Sequence, residues 1–330
     1  MSSDEEPVDQ DTARRIVAEL PSDPHALTDE QIERLGELVL SENHGVVSIV
    51  GEFVKELARE DASTLRPILP ELLSVLTHTD KIRRGDYVAT LSEFDREPLN
   101  RHDPVDDWYG VVIDEDAEVI ERVKAAGAIG AFATVRPDSV RTVTPDCLDY
   151  FADHPIEHKQ LASAIGNALG RIAAADEVVR GDVTMRFERM IEDGTSLSRP
   201  KLAGVLSGIE YLVEYESNTL DRTLDRIIEL AGDRQLDDEG QVLRSSIIRT
   251  IQRFAEVDIE LVRPHVPELA ALLTDENRFV RQQVAKLFAE VGEADPSFVE
   301  PAIDNLVGAC TDEEADVRNA ALDALSPFED

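Results

Sequence analysis

One pair of histidines is the first candidate in this sequence for residues that could do chemistry. His154 and His158 are four residues apart, a spacing that on a helix places two imidazoles on one face, where they could chelate a metal ion. No third ligand follows nearby, and the seven histidines of the chain fall mostly in predicted turns. We therefore interpret the pair as surface residues and keep a metal site as the alternative.

A run of acidic residues is the second candidate, because oxygen ligands suit a hard cation such as magnesium or calcium. The run lacks the spacing and the glycine of an EF-hand loop. A chain with 69 Asp and Glu residues is expected to contain such clusters, so we favour a solvated surface. The carboxylates concerned are Asp103, Asp106, Asp107, Asp114, Glu115 and Asp116.

Motifs for phosphate binding or covalent catalysis are missing from the sequence. There is no Gly-Lys-Ser or Gly-Lys-Thr loop, no glycine fingerprint after a strand, and no Gly-x-Ser-x-Gly elbow. Cys147 and Cys310 lie in apolar stretches, where a free cysteine is typically a small buried hydrophobe. The sequence therefore predicts no metal and no cofactor.

The charge of the chain limits its partners. Asp and Glu number 69 against 33 Lys and Arg, of which 27 are Arg and 6 are Lys, and the net charge is −36. Nucleic acid and anionic lipid bind clustered basic residues, so we expect neither as a partner. Molar salt shortens the Debye length to roughly 3 Å and screens such charge, and the composition resembles that of haloarchaeal-type acidic proteins.

The start of the chain and its hydropathy predict a cytoplasmic location. Residues 1–10 are acidic and polar, without the apolar core of a signal peptide. No apolar run is long enough to span a membrane. We expect residues 1–24 to form an acidic, disordered segment.

A repeated unit accounts for the rest of the chain. Residues 262–275 align without a gap with residues 299–312, which lie 37 positions further on, and residues 65–77 match the first of these segments. Each copy continues with an acidic turn and a second apolar-periodic segment, which predicts helix A, a turn and helix B. We expect one array over residues 25–330, with units at roughly 28–60, 62–96, 98–135, 138–175, 176–215, 217–256, 259–292 and 295–328.

An acidic residue precedes a basic one by six positions in most of these units. At the turn between the helices, the Asp is expected to cap the first amides of helix B. In the second unit His78 stands where the acid would be, six residues before Arg84. The pairs are Asp116 and Arg122, Asp153 and Lys159, Asp193 and Arg199, Asp238 and Arg244, Asp275 and Arg281, and Asp312 and Arg318.

These residues resemble the HEAT repeat of the HEAT/armadillo-like family. The resemblance rests on Leu-Leu-Thr-Asp at residues 272–275, on Val-Arg at residues 280–281 and on an Ala-rich helix B, and it extends over residues 28–330. It implies an all-α fold, a right-handed α-solenoid of about eight helix A/helix B hairpins. It also implies that each Arg pairs with the Asp of a neighbouring repeat, forming a ladder, and that helix B lines the concave side.

The resemblance implies a non-catalytic scaffold that binds a protein partner of unknown identity along the concave helix B face. The alternative is an enzyme on the same scaffold, either lyase-like or metal-dependent, that uses His154, His158 or residues 103–116. Because a fold does not fix a function, the sequence leaves both open.

The unit at residues 98–135 departs most from the pattern. Pro98, Pro104 and Gly110 are expected to shorten its helix A. Trp108, the one Trp of the chain, and Tyr109 lie there and are candidate partner-binding residues, since aromatic side chains often anchor interfaces. The other interpretation is that Trp108 fills the core.

Overall fold

The computed structural model describes residues 8–78, 84–94, 99, 103–193, 197–217, 219–236 and 243–328. Every regular element in these ranges is a helix, which confirms the predicted all-α fold. None of the helices described is both long and apolar enough to cross a membrane. The chain divides into two compact units, residues 1–150 and 151–330.

Successive helices of the first unit pack in pairs: α2 (Asp29–Val39) with α3 (His44–Asp61), α4 (Leu69–His78) with α5 (Arg84–Ser92), and α6 (Val105–Ile113) with α7 (Val119–Ala133). A 3-10 segment, Ala62–Ile68, leads into α4, and α9 (Thr144–Asp153) spans the boundary between the units. The helices are α1 Gln10–Glu19, α2 Asp29–Val39, α3 His44–Asp61, α4 Leu69–His78, α5 Arg84–Ser92, α6 Val105–Ile113, α7 Val119–Ala133 and α8 Pro137–Arg141.

Helix α1 lies within the segment that the sequence predicted to be disordered. Asp9 accepts a hydrogen bond from the backbone amide of Thr12 at 2.7 Å and so begins the helix. Ala13 is fully buried where α1 packs on α3. The prediction for residues 1–24 was wrong from residue 10 to residue 19, because a narrow apolar stripe within a charged segment is enough to dock a helix. Residues 1–7 lie outside the described part of the chain.

In the second unit five helices pack each on the next and are called helices B here: α10 (Lys159–Ala175), α12 (Arg199–Glu216), α14 (Leu243–Val257), α17 (Arg278–Ala294) and α20 (Ala315–Leu325). The elements before them are the helices A. The helices are α10 Lys159–Ala175, α11 Glu177–Glu192, α12 Arg199–Glu216, α13 Asp221–Gly232, α14 Leu243–Val257, α15 Ile259–Val262, α16 Val266–Ala271, α17 Arg278–Ala294, α18 Pro296–Val299, α19 Ile303–Ala309 and α20 Ala315–Leu325.

Helices α10 and α12 approach each other through glycine. A Cβ atom on Gly166 would lie 1.9 Å from the carbonyl oxygen of Gly204, and one on Gly170 would lie 2.3 Å from that of Gly208. No side chain fits at these positions, so the two backbones are in direct contact. This contact fixes how the exposed side chains of α10 and α12 face each other.

Candidate functional site

Two ion pairs join neighbouring repeats near the end of the second unit. Arg244 on α14 is fully buried and donates to both carboxylate oxygens of Asp275, with Nη2–Oδ2 2.7 Å and Nη1–Oδ1 3.1 Å. Arg281 on α17 also donates to both carboxylate oxygens of Asp312, with Nε–Oδ2 2.7 Å and Nη2–Oδ1 3.1 Å. Each pair links a helix B to the turn of the next repeat through bidentate geometry, the strongest form of this interaction.

The carboxylates of both pairs are held ionised. Burial of Asp275 opposes ionisation, but the hydrogen bonds from Arg244 and from the backbone amide of Asn277 outweigh it and lower the pKa of this carboxyl. The same balance, with Arg281 as the donor, lowers the pKa of Asp312. The hydrogen bond to Asp312 in turn raises the pKa of Arg281. Both pairs are therefore fully charged at neutral pH.

The Asp residues cap the turn and not helix B itself, which corrects the prediction from the sequence. Asp275 Oδ1 accepts from the amide of Asn277 at 2.8 Å, and Asn277 is the residue that caps α17, accepting from Phe279 at 3.0 Å. Asp312 accepts from the amide of Glu314 at 2.8 Å. The Asp lies too early in the turn to reach the first helical amides, and its remaining lone pairs face the Arg of the preceding repeat.

The arginines share a second contact within their own repeat, with a backbone carbonyl in the last turn of helix A or in the turn that follows it. Arg244 Nε donates to Ala231 O at 2.7 Å, and Arg281 Nη1 donates to Asp275 O at 2.8 Å. Arg318 Nη1 donates in the same way to Asp312 O at 2.7 Å. Carbonyls at the end of a helix and in the turn after it have no partner within the helix, so these side chains satisfy groups that would otherwise lack a donor.

Arg122 in the first unit also donates to a backbone carbonyl, but it has a different partner where the ion-paired arginines of the second unit bind a carboxylate. Its Nε donates to Val112 O at 2.9 Å, at the end of α6. Its Nη2 donates to the hydroxyl of Tyr150, where the ladder predicts a carboxylate. A neutral hydroxyl therefore takes the role that Asp275 and Asp312 have in the second unit.

The other predicted positions of the ladder are on the surface. Lys159 is exposed, and exposed Arg199 donates to Gln235 O at 2.8 Å. The acids Asp116, Asp153 and Asp193 are also exposed. Asp238 and the side chain of Arg84 lie outside the described part of the chain.

Lys201 is a buried cation that the six-residue spacing did not select. Its Nζ donates to Ala152 O at 2.6 Å in the last turn of α9, and burial lowers its pKa. It lies two residues after Arg199, the position that the spacing selected. The Val that precedes Arg in the clear repeats is missing here, and with it the signal that marks the buried face.

Trp108 is a core residue, which corrects the partner-binding role considered for it. Only 7% of it is exposed, and its ring packs edge to face on Phe132, with 5.7 Å between ring centres and 86° between planes. Helix α6 packs on α7 at this point, and the ring fills the interface. Tyr109 is half-buried, and burial, followed by the nearby Cys147 thiol, raises its pKa to about 12.

The groups considered for an enzyme do not form a metal site. His154 and His158 are exposed in the segment between α9 and α10, so they share no helix face. The acidic residues at positions 103–116 are exposed at the start of α6 and in the turn after it. Across the described ranges, no group of three or more His, Cys, Asp and Glu side chains is arranged to hold a metal ion.

The exposed sides of α10, α12, α14, α17 and α20 form a polar surface, called the helix B face here. Side chains of neighbouring helices meet across it. The exposed ion pairs among them stabilise a fold by only about 0–1 kcal/mol each. The pairs are Asn167 with Tyr211 at 3.3 Å, Glu210 with Arg249 at 3.3 Å, Glu214 with Arg253 at 3.3 Å, and Gln252 with Glu290.

A shallow groove of about 550 Å³ lies on this face between α17 and α20. Amide and charged side chains line most of the groove, so both hydrogen-bond donors and hydrogen-bond acceptors face the solvent there. The polar side chains are Gln282, Lys286, Glu290, Asp316, Asn319 and Asp323.

Tyrosine and arginine collect at the other end of the face, on α10, α11 and α12. Tyr215 is 50% exposed, and the guanidinium carbon of Arg180 lies 4.4 Å from its ring centre. Arg180 is fixed by the carbonyls of Ala173 and Ala174, to which it donates at 2.9 and 3.1 Å. With this pair we group three half-buried neighbours as the Tyr–Arg cluster, which comprises Asn167, Arg171, Arg180, Tyr211 and Tyr215.

Comparison with known proteins identifies the architecture. Residues 228–326 match the family model described as HEAT repeats. The chain has the fold of a HEAT-repeat α-solenoid. No curated protein matches the sequence.

Solved structures with the HEAT-repeat fold align with nearly the whole chain. Importin beta aligns at a TM-score of 0.56 and 13% identity over 95% of this chain and 48% of its own. A structure of Kap95p with RanGDP gives 0.57 and 18% over 97% of this chain and 46% of that one. A homology model of the AP-3 complex gives 0.54 and 15% over 98% and 55%. The chain thus spans about half the length of these structures, and identities this low show the fold alone.

Proposed function

We propose that this protein is a non-catalytic scaffold that binds a protein partner along the helix B face of its second unit. The observation that carries the proposal is the Tyr–Arg cluster, in which an exposed Tyr is stacked by an Arg that the backbone already holds. Tyr and Arg are enriched in interface hot spots, and a fixed side chain loses little entropy when a partner binds.

The rest of the helix B face suits a polypeptide. A bound segment brings amide and carbonyl groups that need partners, and the groove between α17 and α20 offers side chains that donate and accept. Structural neighbours support the idea, since they include Kap95p bound to RanGDP and Kap121p bound to Pho4p. In HEAT-type solenoids this side is the concave one, where a partner meets several repeats together.

The working environment that we propose is a salt-rich cytoplasm of the haloarchaeal type, in which neither nucleic acid nor a membrane is the partner. The net charge of −36 supports this, because at low salt such a surface repels itself. We expect the melting temperature to fall as salt is lowered from molar levels to about 0.1 M, where the Debye length grows to roughly 10 Å. A melting temperature independent of salt, followed by circular dichroism, would remove this part of the proposal.

The proposal is tested by cross-linking from chosen positions. A photoreactive phenylalanine derivative replaces Tyr215 on the helix B face in one variant and Val178, 69% exposed on α11, in the other. Both proteins are irradiated in cells of the source organism, and cross-linked products are identified by mass spectrometry. We expect a defined protein to be captured from position 215 and not from position 178.

The captured protein is then purified and its affinity measured by calorimetry. We expect Tyr215→Ala to weaken binding by at least about tenfold, as truncation of a hot-spot Tyr does, and Val178→Ala to leave it unchanged. Capture from position 178 alone, or equal affinities of the two variants, would contradict the proposed face. Enzymatic turnover by the purified chain would contradict a scaffold role.

A further inference from the structure

Arg171 on α10 has an unusual environment for a charged side chain. It is half-buried, and among the described residues it makes no hydrogen bond and no ion pair. Burial lowers its pKa, while nearby Tyr211 acts in the opposite direction. A guanidinium stays protonated in proteins, so this site holds a positive charge that no carboxylate of the described chain neutralises.

The acidic side chains of α12 that lie nearest to Tyr211 in sequence form ion pairs with other arginines. Glu210 and Glu214 on α12 flank Tyr211 in sequence, yet they pair with Arg249 and Arg253 on α14, each at 3.3 Å. The chain contains 69 acidic residues, so a free guanidinium is not a consequence of composition. A partly desolvated charge without a partner costs free energy, which a bound anion would recover.

Two further donors accompany the guanidinium. Asn167 lies one turn before Arg171 on the same half-buried side of α10, and its Nδ2 donates to the hydroxyl oxygen of Tyr211 at 3.3 Å. Because that oxygen accepts from Asn167, the hydroxyl proton of Tyr211 remains available to a ligand. The glycine contact between α10 and α12 holds these groups at a fixed separation.

We infer that Arg171, Asn167 and Tyr211 form a carboxylate-binding site, occupied by an acidic side chain of the protein partner. The inference rests on the proposed function and adds the chemistry of the partner. The planar guanidinium fork matches the two oxygens of a carboxylate, and the Tyr211 hydroxyl donates to one of them. The exposed ring of Tyr215, one turn further along α12, takes an apolar neighbour of the acidic residue.

The net charge of the chain favours a ligand with a single negative charge, carried by a protein, over a polyanion. A polyanion such as nucleic acid brings many phosphates against a surface of net charge −36, whereas one Asp or Glu side chain brings a single charge. The preferred ligand is therefore a polypeptide segment with an isolated acidic residue next to an apolar one.

A display library of random short peptides tests this directly. It is selected on the wild-type chain, on Arg171→Gln and on Arg189→Gln, a control in which an exposed Arg on α11 is neutralised. We expect peptides selected on the wild type and on the control to be enriched in Asp or Glu beside an apolar residue. Arg171→Gln is expected to bind these synthesised peptides at least about tenfold more weakly, because a charge-assisted hydrogen bond is lost.

The possible outcomes separate this inference from the proposed function. Selection of basic or purely apolar peptides, with equal affinity for all three proteins, would overturn the carboxylate site while leaving a peptide-binding scaffold. Failure of every protein to select any peptide would count against both. Replacement of the acidic residue in a selected peptide by its amide should reproduce the loss seen with Arg171→Gln, and unchanged binding of the amide peptide would also overturn the site.

Discussion

Arg244 and Arg171 are two arginines of the same unit, on helices B that are separated by one other helix B. Arg244 is fully buried and saturated, with a bidentate pair to Asp275 and a bond to Ala231 O. Arg171 is half-buried and, within the described ranges, unpaired. Both are partly or wholly removed from solvent, but Arg244 has its hydrogen-bond partners within the described part of the fold and Arg171 does not.

The difference shows how one residue type serves structure and recognition in the same repeat array. Arginines that are bonded within the fold hold a repeat together. Their common contact is a carbonyl in the last turn of helix A or in the turn after it, and it is made by Arg122, Arg244, Arg281 and Arg318. The carboxylate to the next repeat is the variable contact, since Arg122 uses Tyr150 instead. An arginine without either contact is free to bind something else.

The largest expected effect on stability comes from breaking the buried ion pair between Arg244 and Asp275. Asp275→Ala leaves the buried guanidinium of Arg244 without its carboxylate, and we expect the free energy of unfolding to fall by about 3–5 kcal/mol. Denaturant unfolding followed by circular dichroism measures it. Asp312→Ala breaks the more exposed pair with Arg281 and is expected to cost about 1–3 kcal/mol.

A double variant separates the two contacts of Arg244. Replacing the pair with Arg244→Met and Asp275→Leu removes both charges, so most of the loss should return. The carbonyl of Ala231 would still lack its donor, and we expect about 1–3 kcal/mol of destabilisation to remain. Full recovery of the unfolding free energy would contradict the role assigned to the carbonyl contact.

Lowering the pH should reduce the difference in unfolding free energy between the wild type and Asp275→Ala. The folded pKa of Asp275 lies below its unfolded value, so the stabilisation is complete above the unfolded pKa of about 3.9 and disappears as the pH falls through the folded pKa. Unfolding free energies of both proteins from pH 6 downward measure this. A constant difference throughout the acid range would contradict the ion pair as its source.

The sequence predicts the repeat well where its markers are complete. In the last units, Val-Arg and the preceding Asp place Arg281 and Asp312 in register, because a 37-residue period repeats the same packing. Helix α1 and Lys201 were missed, since each depends on a buried face that neighbouring charges obscure in the sequence.

The Tyr–Arg cluster could not be predicted from the sequence. Asn167 and Tyr211 are 44 residues apart, which does not match the 37-residue period, and their contact depends on the close glycine packing of α10 and α12. Trp108 is the opposite case. Its aromatic side chain suggested an interface residue in the sequence, but it fills the core.

The most direct test of this account compares Arg171→Gln with Asp275→Ala in the same two assays, unfolding free energy and affinity for a selected acidic peptide. We predict that Arg171→Gln does not lower stability, because it removes a partly desolvated charge that has no partner, while its peptide affinity falls at least about tenfold. Asp275→Ala should lose stability and keep its peptide affinity under conditions where it is folded. A strong loss of stability in Arg171→Gln, with peptide binding unchanged, would contradict the division between the two arginines.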